Sequence, residues 1–373
     1  MRIAHCVFEP PSGSGSGAQL RSHALNAALH HQGQVETHVV QAFFTSGKAH
    51  PARRPAFIVG ALPEEVLAPI AAKIAAQRPG LVVVEGVYLA DLAQRLIADG
   101  HRVVLDAHNV ESVLLRQIDS ARHGLWARVI RHRRWQRAAD AERQLFGAVA
   151  GIWACSAQDA ERIARLAPQA PQAQLVPNPV PQWCDSVTPA PDRPGVAALF
   201  VGHLGYRPNI TAALRLARGI AAQIRARDAQ AVLTVAGRSP DRRLRKALQT
   251  AQIRLVADPA DLAPLYHGAN MVLVPLTEGG GTRIKILEAM ACHLPVVASG
   301  IAVEGLGLRP GVHFLQAGSD ADFAACALRL SRDSALRQSL RQAAAEFVHA
   351  HHGPRALQTA VGHALRAVVT KQS

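Results

Sequence analysis

The sequence predicts an α/β protein with two doubly wound parallel sheets. Short apolar runs rich in β-branched residues alternate with longer helical patterns along the chain. This alternation is typical of parallel strands that are joined by crossover helices. Several runs are continuously apolar, as expected for strands that are covered on both faces. A proline-rich segment separates the runs into two groups, so we expect one sheet on each side of it.

The candidate strands follow from these apolar runs. In the first group they are Arg2–Phe8, Glu36–Phe43, Leu81–Val87, Arg102–Ala107 and Gly151–Cys155. In the second group they are Ala197–Gly202, Ala231–Gly237, Ile253–Val256, Met271–Pro275, Pro295–Ser299 and Val312–Leu315. The sequence after Val312 is helical in pattern. Its last piece, beyond Pro354, is expected to pack back on the first domain.

The proline-rich segment places the domain boundary. Proline removes backbone donors and keeps the chain extended, so the sequence between Pro177 and Gly195 is typical of a semi-rigid linker. We therefore predict an N-terminal domain at 1–180, a linker at 181–195, a C-terminal domain at 196–353 and a final helix at 354–373.

Composition limits the class of protein. A chain of 373 residues with 49% hydrophobic residues is long enough for two full cores. The 5 cysteines are scattered without a C-x-x-C pair, which indicates a reducing compartment and argues against a disulfide framework or a zinc site. The 18 histidines show no metal-ligand spacing, so no bound metal is predicted. With neither a signal peptide nor a membrane span in the pattern, we expect a cytoplasmic protein.

The net charge of +14 raises the question of an anionic partner. In the N-terminal half, the excess of cations falls in Arg116–Arg143, where Trp126, Ile130 and Trp135 are interleaved with arginines. One interpretation is a solvated helix face. The other is peripheral contact with an anionic membrane, at the inner face, or with an anionic acceptor. No nucleic acid is expected as a partner.

The segment Glu278–Val297 carries the strongest chemical signal. A strand ends at Pro275, and three glycines then allow the backbone to approach a ligand closely. Arg283 and Lys285 follow at the start of a predicted helix, where the macrodipole favours anions and disfavours cations. A bound diphosphate would reverse this penalty, because it would receive both the free N–H groups and the two cations.

The predicted helix divides into two faces. Thr282, Lys285 and Glu288 lie three residues apart and share one face. The apolar positions of the other face are Ile284, Leu287 and Ala291. A carboxylate at 288 is suited to accept hydrogen bonds from a vicinal diol such as ribose. The helix is therefore expected to bury one face and to present hydroxyl, ammonium and carboxylate groups on the other.

At this point the sequence resembles a known family, the retaining GT-B-fold glycosyltransferases of family 4. "GGGTRIKILEAMA", followed by "PVV", is similar to the C-terminal signature of that family. "PPSGSGSGAQLRSHAL", "LDAHNVES", "WACSAQDAERI", "VPNPV" and "LFVGHLGYRPNITAA" resemble further family segments in the family's order. Together they cover nearly the whole chain.

The resemblance implies two Rossmann-like domains that face each other across a cleft, and transfer of a sugar from a nucleotide diphosphate sugar. The acceptor hydroxyl would belong to a carbohydrate or lipid-linked molecule, in synthesis of a glycan, polysaccharide or glycolipid, without a cofactor or a metal. The catalytic residues that it implies are His108, Arg207 and Lys285. The donor-binding residues that it implies are Gly15, Gly17, Glu278, Gly279, Gly280, Gly281, Thr282, Arg283 and Glu288.

Two departures from the family pattern stand out. Many relatives carry two glutamates separated by seven residues, but the position paired with Glu288 is Gly280, and Glu278 lies two residues too early. Many relatives also carry two cations in the turn that opens the second domain. This chain has only Arg207 there, followed by Pro208.

His5 and His203 follow strand patterns and are interpreted as structural, whereas Arg21 is equally compatible with a structural role and with phosphate binding. The absence of a G-x-S-x-G or G-x-x-x-x-G-K-[ST] motif argues against a hydrolase triad and a P-loop nucleotidase. A nucleotide-sugar epimerase and a non-catalytic nucleotide-sugar or anionic-glycan binding protein remain as alternatives.

Overall fold

The computed structural model describes residues 1–43, 62–120, 125–188, 195–279 and 283–370, and the side chains among them other than those of 117–134. These residues form two compact units. Unit 1 consists of Met1–Pro179 together with the segment from Pro354 onward, and unit 2 of Val180–Gly279 with Arg283–Gly353.

Unit 1 is built on a parallel sheet. Its strands are β1 (Arg2–Val7), β2 (Gln34–Val39), β3 (Leu81–Glu85), β4 (Val103–Ala107), β5 (Gly151–Ala154) and β6 (Gln174–Leu175). They are arranged in the order β2-β1-β3-β4-β5-β6, with every pairing parallel. The short β6 was not predicted, because a two-residue strand between prolines leaves no apolar run. Residues 40–43, predicted as the end of a strand, form a 3₁₀ turn.

The helices of unit 1 cover both faces of this sheet. They are α1 (Gly17–His30), α2 (Glu64–Gln77), α3 (Ala90–Ala98), α4 (Glu111–Ser120), α5 (Leu125–Ala148), α6 (Ala157–Leu166) and, after unit 2, α14 (Pro354–Val369). Side chains alternate along the strands: Val82 and Val84 belong to one core cluster, and Leu81 and Val83 to the other. α1 and α14 pack together on the second of these faces.

Unit 2 is also built on a six-stranded parallel sheet. Its strands are β7 (Ala197–Val201), β8 (Val232–Gly237), β9 (Arg254–Ala257), β10 (Met271–Val274), β11 (Val296–Ala298) and β12 (Leu315–Gln316). They are arranged in the order β12-β11-β10-β7-β8-β9, again with every pairing parallel. The prediction of an α/β fold with two doubly wound parallel sheets is therefore confirmed.

The helices of unit 2 follow the strands in alternation. They are α7 (Arg207–Arg215), α8 (Ala221–Arg225), α9 (Arg242–Thr250), α10 (Ala263–His267), α11 (Ile284–Ala291), α12 (Asp320–Arg332) and α13 (Ser334–His352). A π-helical turn at Leu216–Ile220 joins α7 to α8. One core cluster fills this unit, and it includes the very hydrophobic strand β10.

Part of the predicted linker packs on unit 2. Residues 182–186 form a 3₁₀ helix, and Cys184 and Val187 are buried in the core of unit 2. Proline keeps this segment extended at its ends, but the intervening apolar side chains fix it to the domain that follows. Residues 189–194 lie outside the described part of the chain.

The membrane hypothesis rests mostly on side chains outside the described part. Trp126 and Ile130 belong to that group, while the guanidinium of Arg116 lies over the ring of Trp135 at 5.7 Å. No helix within the described ranges is both long enough and apolar enough to cross a bilayer.

Candidate functional site

Polar groups gather at the carboxyl ends of the strands in each unit, which is the edge where open α/β sheets bind ligands. In unit 1, Gly15 and Gly17 follow β1, Glu85 ends β3, and His108 follows β4. Gly17 is the first residue of α1, and Ser16 caps that helix by accepting a hydrogen bond from the Gln19 N–H. The glycine loop and His108 therefore lie along one edge of the unit-1 sheet.

Arg21 is buried and bound to protein groups. Its Nε and Nη2 donate to the two oxygens of Asp106 at 2.7 and 2.5 Å. Nη1 also donates to Asn178 Oδ1 at 2.8 Å, and Nη2 to the Val176 carbonyl. The side chain is only 2% exposed. Since its donors are directed to groups on two segments of unit 1, the end of β4 and residues 176–178, the structure favours the structural interpretation of Arg21.

His108 lies between two buried carboxylates. Its Nε2 is 3.1 Å from Asp106 Oδ2 and 3.4 Å from Glu85 Oε2, in ion pairs rather than well-aligned hydrogen bonds. Burial alone would lower the pKa of His108, but these two carboxylates raise it to about 9. A pKa of about 9 favours the protonated imidazolium at neutral pH.

Glu85 is also held by groups of the first strand and the first helix. His5 Nε2 lies 2.7 Å from Glu85 Oε1, and the Ser22 hydroxyl donates to Glu85 Oε2. Asn26 in turn contacts His5 Nδ1 at 3.1 Å. Burial would raise the pKa of Glu85, but His108 and His5 lower it to about 2. His5 is thus part of the support for the His108 site.

Glu85, Asp106 and His108 form the one group of metal-ligating side chains within the described ranges, with ligand atoms inside 4.8 Å of one another. The charges nearby are already balanced: Arg21 pairs with Asp106, and protonated His108 compensates Glu85. A further divalent cation would add repulsion from Arg21. These charges support the prediction that no metal binds, which stays a prediction.

Glu111 is a candidate residue that the sequence reasoning passed over. It belongs to the "DAHNVES" stretch, and burial together with the neighbouring Glu142 raises its pKa to about 7. Glu142 accepts hydrogen bonds from the backbone N–H groups of Glu111 and Ser112 at 2.5 and 3.1 Å, and so caps α4. Glu111 lies in a segment that resembles a family motif, but its proximity to Glu142, 31 residues away, is apparent only from the fold.

In unit 2, the start of α7 carries Arg207. Arg207 Nε lies 3.3 Å from Glu278 Oε1, and the Thr211 hydroxyl donates to the same oxygen at 3.2 Å. Glu278 is 8% exposed. Glu278, whose position differs from the family pattern by two residues, therefore faces α7 and forms an ion pair with Arg207.

Lys285 extends from α11 to the same region. Its Nζ donates to Asn209 Oδ1 at 2.6 Å and lies 4.6 Å from the centre of the Phe200 ring. Burial, and then the cation of Arg283, lower the pKa of Lys285 to about 7.

Gly202 makes room for this lysine. A Cβ atom on Gly202 would lie 2.8 Å from Lys285 Nζ and 2.8 Å from Asn209 Cγ. Asn209 Nδ2 also donates to the His203 carbonyl at 3.0 Å. The side-chain amide of Asn209 therefore binds both Lys285 and the backbone of the turn that precedes α7. The side chain of His203 itself has its pKa lowered by burial and by Arg238.

Glu288 lies one turn further along α11 and is 5% exposed. The Tyr266 hydroxyl donates to Glu288 Oε2 at 2.9 Å. Burial raises the pKa of Glu288, while Tyr266 and Lys285 act in the opposite direction. Tyr266 was not singled out from the sequence, because a tyrosine in a short helix is more often core than site.

Arg283 occupies the N-cap position of α11 without a capping hydrogen bond from its side chain, and the helix begins at Ile284. The guanidinium donates to the carbonyls of Gly279 and Ile301 at 2.6 and 3.5 Å. Gly279 has a φ of 129°, which only glycine adopts readily. The predicted donor-binding residues that lie outside the described part are Gly280, Gly281 and Thr282.

The two-face prediction for α11 is only partly right. Leu287 is buried as expected, but Ile284 and Ala291 are half-buried. Glu288 is buried with Ile286, Ala289 and Met290. Since α11 is enclosed by the sheet and by α13, its polar side chains are buried together with the apolar ones.

Part of unit 2 is similar to a family of known proteins. Residues 195–333 match the model of the family "Glycosyl transferases group 1". A protein of Klebsiella pneumoniae, described as an uncharacterized 44.6 kDa protein in the cps region, is 27% identical over 143 residues. That match spans 36% of this chain and 37% of the relative.

Solved structures resemble the whole chain. Sucrose-phosphate synthase from Thermosynechococcus elongatus has a TM-score of 0.75 at 19% identity, over 100% of both chains. WaaG, a glycosyltransferase involved in lipopolysaccharide biosynthesis, has a TM-score of 0.69 at 12% identity, over 99% of this chain and 100% of WaaG. Anabaena HepE in complex with UDP has a TM-score of 0.68 at 13% identity, over 98% and 100%. At these identities the likeness shows the fold.

The match covers β7 to α12, which include Arg207, Glu278, Lys285 and Glu288. The two parallel sheets are those of the GT-B glycosyltransferase neighbours. The chain therefore has the GT-B fold and carries a Glycosyl transferases group 1 domain at residues 195–333.

Proposed function

We propose that this protein is a glycosyltransferase that moves a hexose-type sugar from a nucleotide diphosphate sugar to an acceptor hydroxyl, with retention of the anomeric configuration. The observation that carries the proposal is the position of Lys285. The side chain of this lysine is half-buried, and its ammonium group donates to Asn209 Oδ1 within the stretch that matches the Glycosyl transferases group 1 model. Burial of an ammonium group without a paired carboxylate is costly, and a diphosphate would remove that cost.

The proposed chemistry follows from where charge develops. As the bond between sugar and phosphate breaks, negative charge accumulates on the leaving diphosphate. Lys285 and Arg207 would stabilise this charge more in the transition state than in the ground state. Glu288 would accept hydrogen bonds from the ribose hydroxyls. No step of this scheme requires a metal ion, because the two cations take the role of a Lewis acid.

Proton transfer in this scheme does not use His108 as the base. The two carboxylates beside His108 keep its imidazole protonated near neutral pH. His108 is instead proposed to orient a substrate hydroxyl by donating a hydrogen bond. The departing phosphate, on the same face of the sugar, would accept the proton of the acceptor hydroxyl.

The acceptor and the pathway are part of the proposal. WaaG is a glycosyltransferase of lipopolysaccharide biosynthesis, and the Klebsiella relative is described from a cps region. By analogy we propose a carbohydrate or lipid-linked acceptor in glycan, polysaccharide or glycolipid synthesis. The site of action would be the cytoplasm, with peripheral contact between the Arg116–Arg143 segment and an anionic membrane.

The test is an assay of the purified protein with a panel of nucleotide sugars, with and without acceptors. Sugar transfer that depends on an acceptor supports the proposal, and NMR of the product reports the anomeric configuration. Conversion of the nucleotide sugar without an acceptor would indicate an epimerase instead. Binding without turnover for any donor and acceptor would indicate a non-catalytic binding protein.

A further inference from the structure

Tyr266 is a buried tyrosine whose hydroxyl points at a carboxylate. The residue lies in α10 and is 1% exposed. Its ring packs against Trp183 with the ring centres 5.5 Å apart, and its hydroxyl donates to Glu288 Oε2 at 2.9 Å. A buried hydroxyl normally requires a partner. Here that partner is the proposed ribose-binding carboxylate of the same unit.

This hydrogen bond fixes the orientation of the Glu288 carboxylate. Among the residues that the structure describes, Tyr266 is the one hydrogen-bond partner of that carboxylate. An ionised carboxylate has about four acceptor positions on its two oxygens. The Tyr266 hydroxyl takes one of them on Oε2, so both positions on Oε1 and the second position on Oε2 stay available. These positions on a fixed carboxylate are enough to receive both donors of a vicinal diol.

We propose that Tyr266 is a positioning residue that makes the nucleotide site selective for ribose over 2′-deoxyribose. The inference rests on the proposed function, since it assumes that Glu288 binds the ribose of a nucleoside diphosphate. A carboxylate that cannot turn loses one hydrogen bond when a ligand lacks a hydroxyl, and a buried acceptor is then left unsatisfied. A carboxylate that can turn would adapt to the remaining hydroxyl and discriminate less.

The charge of Glu288 depends on the same contact. Burial raises the pKa of Glu288, and the hydrogen bond from Tyr266 is the larger of the two effects that oppose the rise, followed by the attraction of Lys285. The charged groups near Glu288 are Lys285 and, next to it, Arg283; the other titratable groups are the hydroxyl of Tyr266 and the thiols of Cys184 and Cys292. Loss of the tyrosine hydroxyl would therefore raise the pKa of Glu288 further and favour its protonated form.

The experiment compares Tyr266→Phe with the unchanged protein. Isothermal titration calorimetry measures the dissociation constants of UDP, ADP and GDP and of their 2′-deoxy counterparts. For the base that binds most tightly, the unchanged protein is expected to prefer the ribonucleotide by about 10- to 100-fold. Tyr266→Phe is expected to reduce that preference to about 3-fold or less, mainly through weaker binding of the ribonucleotide.

Two further variants separate positioning from packing. Glu288→Gln should abolish the preference, and Tyr266→Phe added to it should change the ratio no further. Tyr88→Phe removes a tyrosine hydroxyl in unit 1 and should leave the ratio unchanged. A pH series adds a second readout: as the pH is lowered, Tyr266→Phe should lose its ribonucleotide preference at a higher pH than the unchanged protein, because the pKa of Glu288 is raised further in the variant.

The possible results distinguish a failure of this inference from a failure of the proposed function. If Tyr266→Phe weakens ribonucleotide and deoxyribonucleotide equally, the tyrosine has only a packing role and the inference fails, while the proposed function stands. If the unchanged protein prefers no ribonucleotide although it binds nucleoside diphosphates, the inference fails as well. If it binds no nucleoside diphosphate at all, the proposed function fails and the inference falls with it.

Discussion

Glu278 Oε1 lies 3.3 Å from Arg207 Nε, and this pair joins the glycine loop after β10 to the first residue of α7. The family pattern that the sequence resembles has a glutamate two residues later, where this chain has Gly280. In this protein the carboxylate instead accepts a hydrogen bond from Thr211 and holds a cation on α7. Its geometry is that of a residue that orients Arg207.

The Glu278–Arg207 pair predicts coupled effects of mutation. Glu278→Ala and Arg207→Ala are each expected to lower kcat/KM for sugar transfer by about 10- to 100-fold. The first variant removes the carboxylate that orients the guanidinium, and the second removes the guanidinium itself. The double variant should lose little more than the worse single variant, which corresponds to a coupling of about 1 kcal/mol or more. Steady-state kinetics of the four proteins measures this coupling. Fully additive losses would contradict a shared role.

Lys285 is expected to be the most sensitive cation for turnover. Lys285→Ala should reduce kcat by about 10²- to 10³-fold, since a donor aimed at the developing charge is removed. Lys246 is an exposed lysine on α9, and Lys246→Ala provides the matched control with near-normal kcat. Near-normal turnover in Lys285→Ala would show that the leaving group is stabilised elsewhere.

The lowered pKa of Lys285 predicts that nucleotide binding depends on pH. In the free protein this pKa is about 7, so the ammonium is lost as the pH rises above that value. A diphosphate favours the charged form, and binding must then take up a proton. Affinity for a nucleoside diphosphate should therefore fall by up to about 10-fold per pH unit above about pH 7. Calorimetry from about pH 7 to about pH 9 measures the slope. Lys285→Arg keeps its charge and should bind with little pH dependence.

Gly202 gives a steric test of the lysine position. Gly202→Ala places a methyl group 2.8 Å from Lys285 Nζ and must displace the lysine or Asn209. We expect a loss of turnover that approaches the loss in Lys285→Ala, with a smaller effect on thermal stability. Gly300→Ala is the matched control in the same unit, because the nearest atom to its new Cβ is Gln316 Nε2 at 3.7 Å. Equal activity of the two variants would argue against a fixed lysine.

His108 predicts a pH dependence of stability in unit 1. Its pKa rises from 6.5 to about 9 on folding, so its protonation stabilises the folded state fully below about pH 6.5. This contribution is lost as the pH rises through about 9. The melting temperature should therefore decrease between these values, and it should decrease less in His108→Gln. The exposed histidine in α14 gives the control His363→Gln, whose profile should match the unchanged protein.

Most of the fold could be predicted from the sequence because parallel strands buried on both faces leave continuous apolar runs. The run at Leu81–Val87 and the strand β3 agree to within two residues, and the run at Met271–Pro275 agrees equally well with β10. The ends differ because a strand stops where its neighbour no longer pairs. β6 escaped prediction since its two residues are defined by pairing with β5 alone.

The site was less predictable because side-chain partners come from distant segments. Lys285 and Glu288 could be singled out from the spacing on one helix. Their partners Asn209 and Tyr266 are 76 and 22 residues away in the chain, and no spacing in the sequence predicts either contact. Arg21 could not be assigned from sequence, since its partner Asp106 is 85 residues away and only the fold brings the two together.

The placement of α14 has a consequence for the order of folding during synthesis. α14 lines the same core cluster of unit 1 as α1, with Leu357, Val361 and Leu365 buried there. The ribosome makes all of unit 2 before it makes this helix. Unit 2 can therefore fold first, while the apolar face of unit 1 that α14 covers stays exposed until α14 has been synthesised. A chain that stops at Gly353 should show a cooperative unfolding transition for unit 2 and an aggregation-prone unit 1 in calorimetry. A stable unit 1 in that truncated chain would mean that the α1 face can hold its fold uncovered.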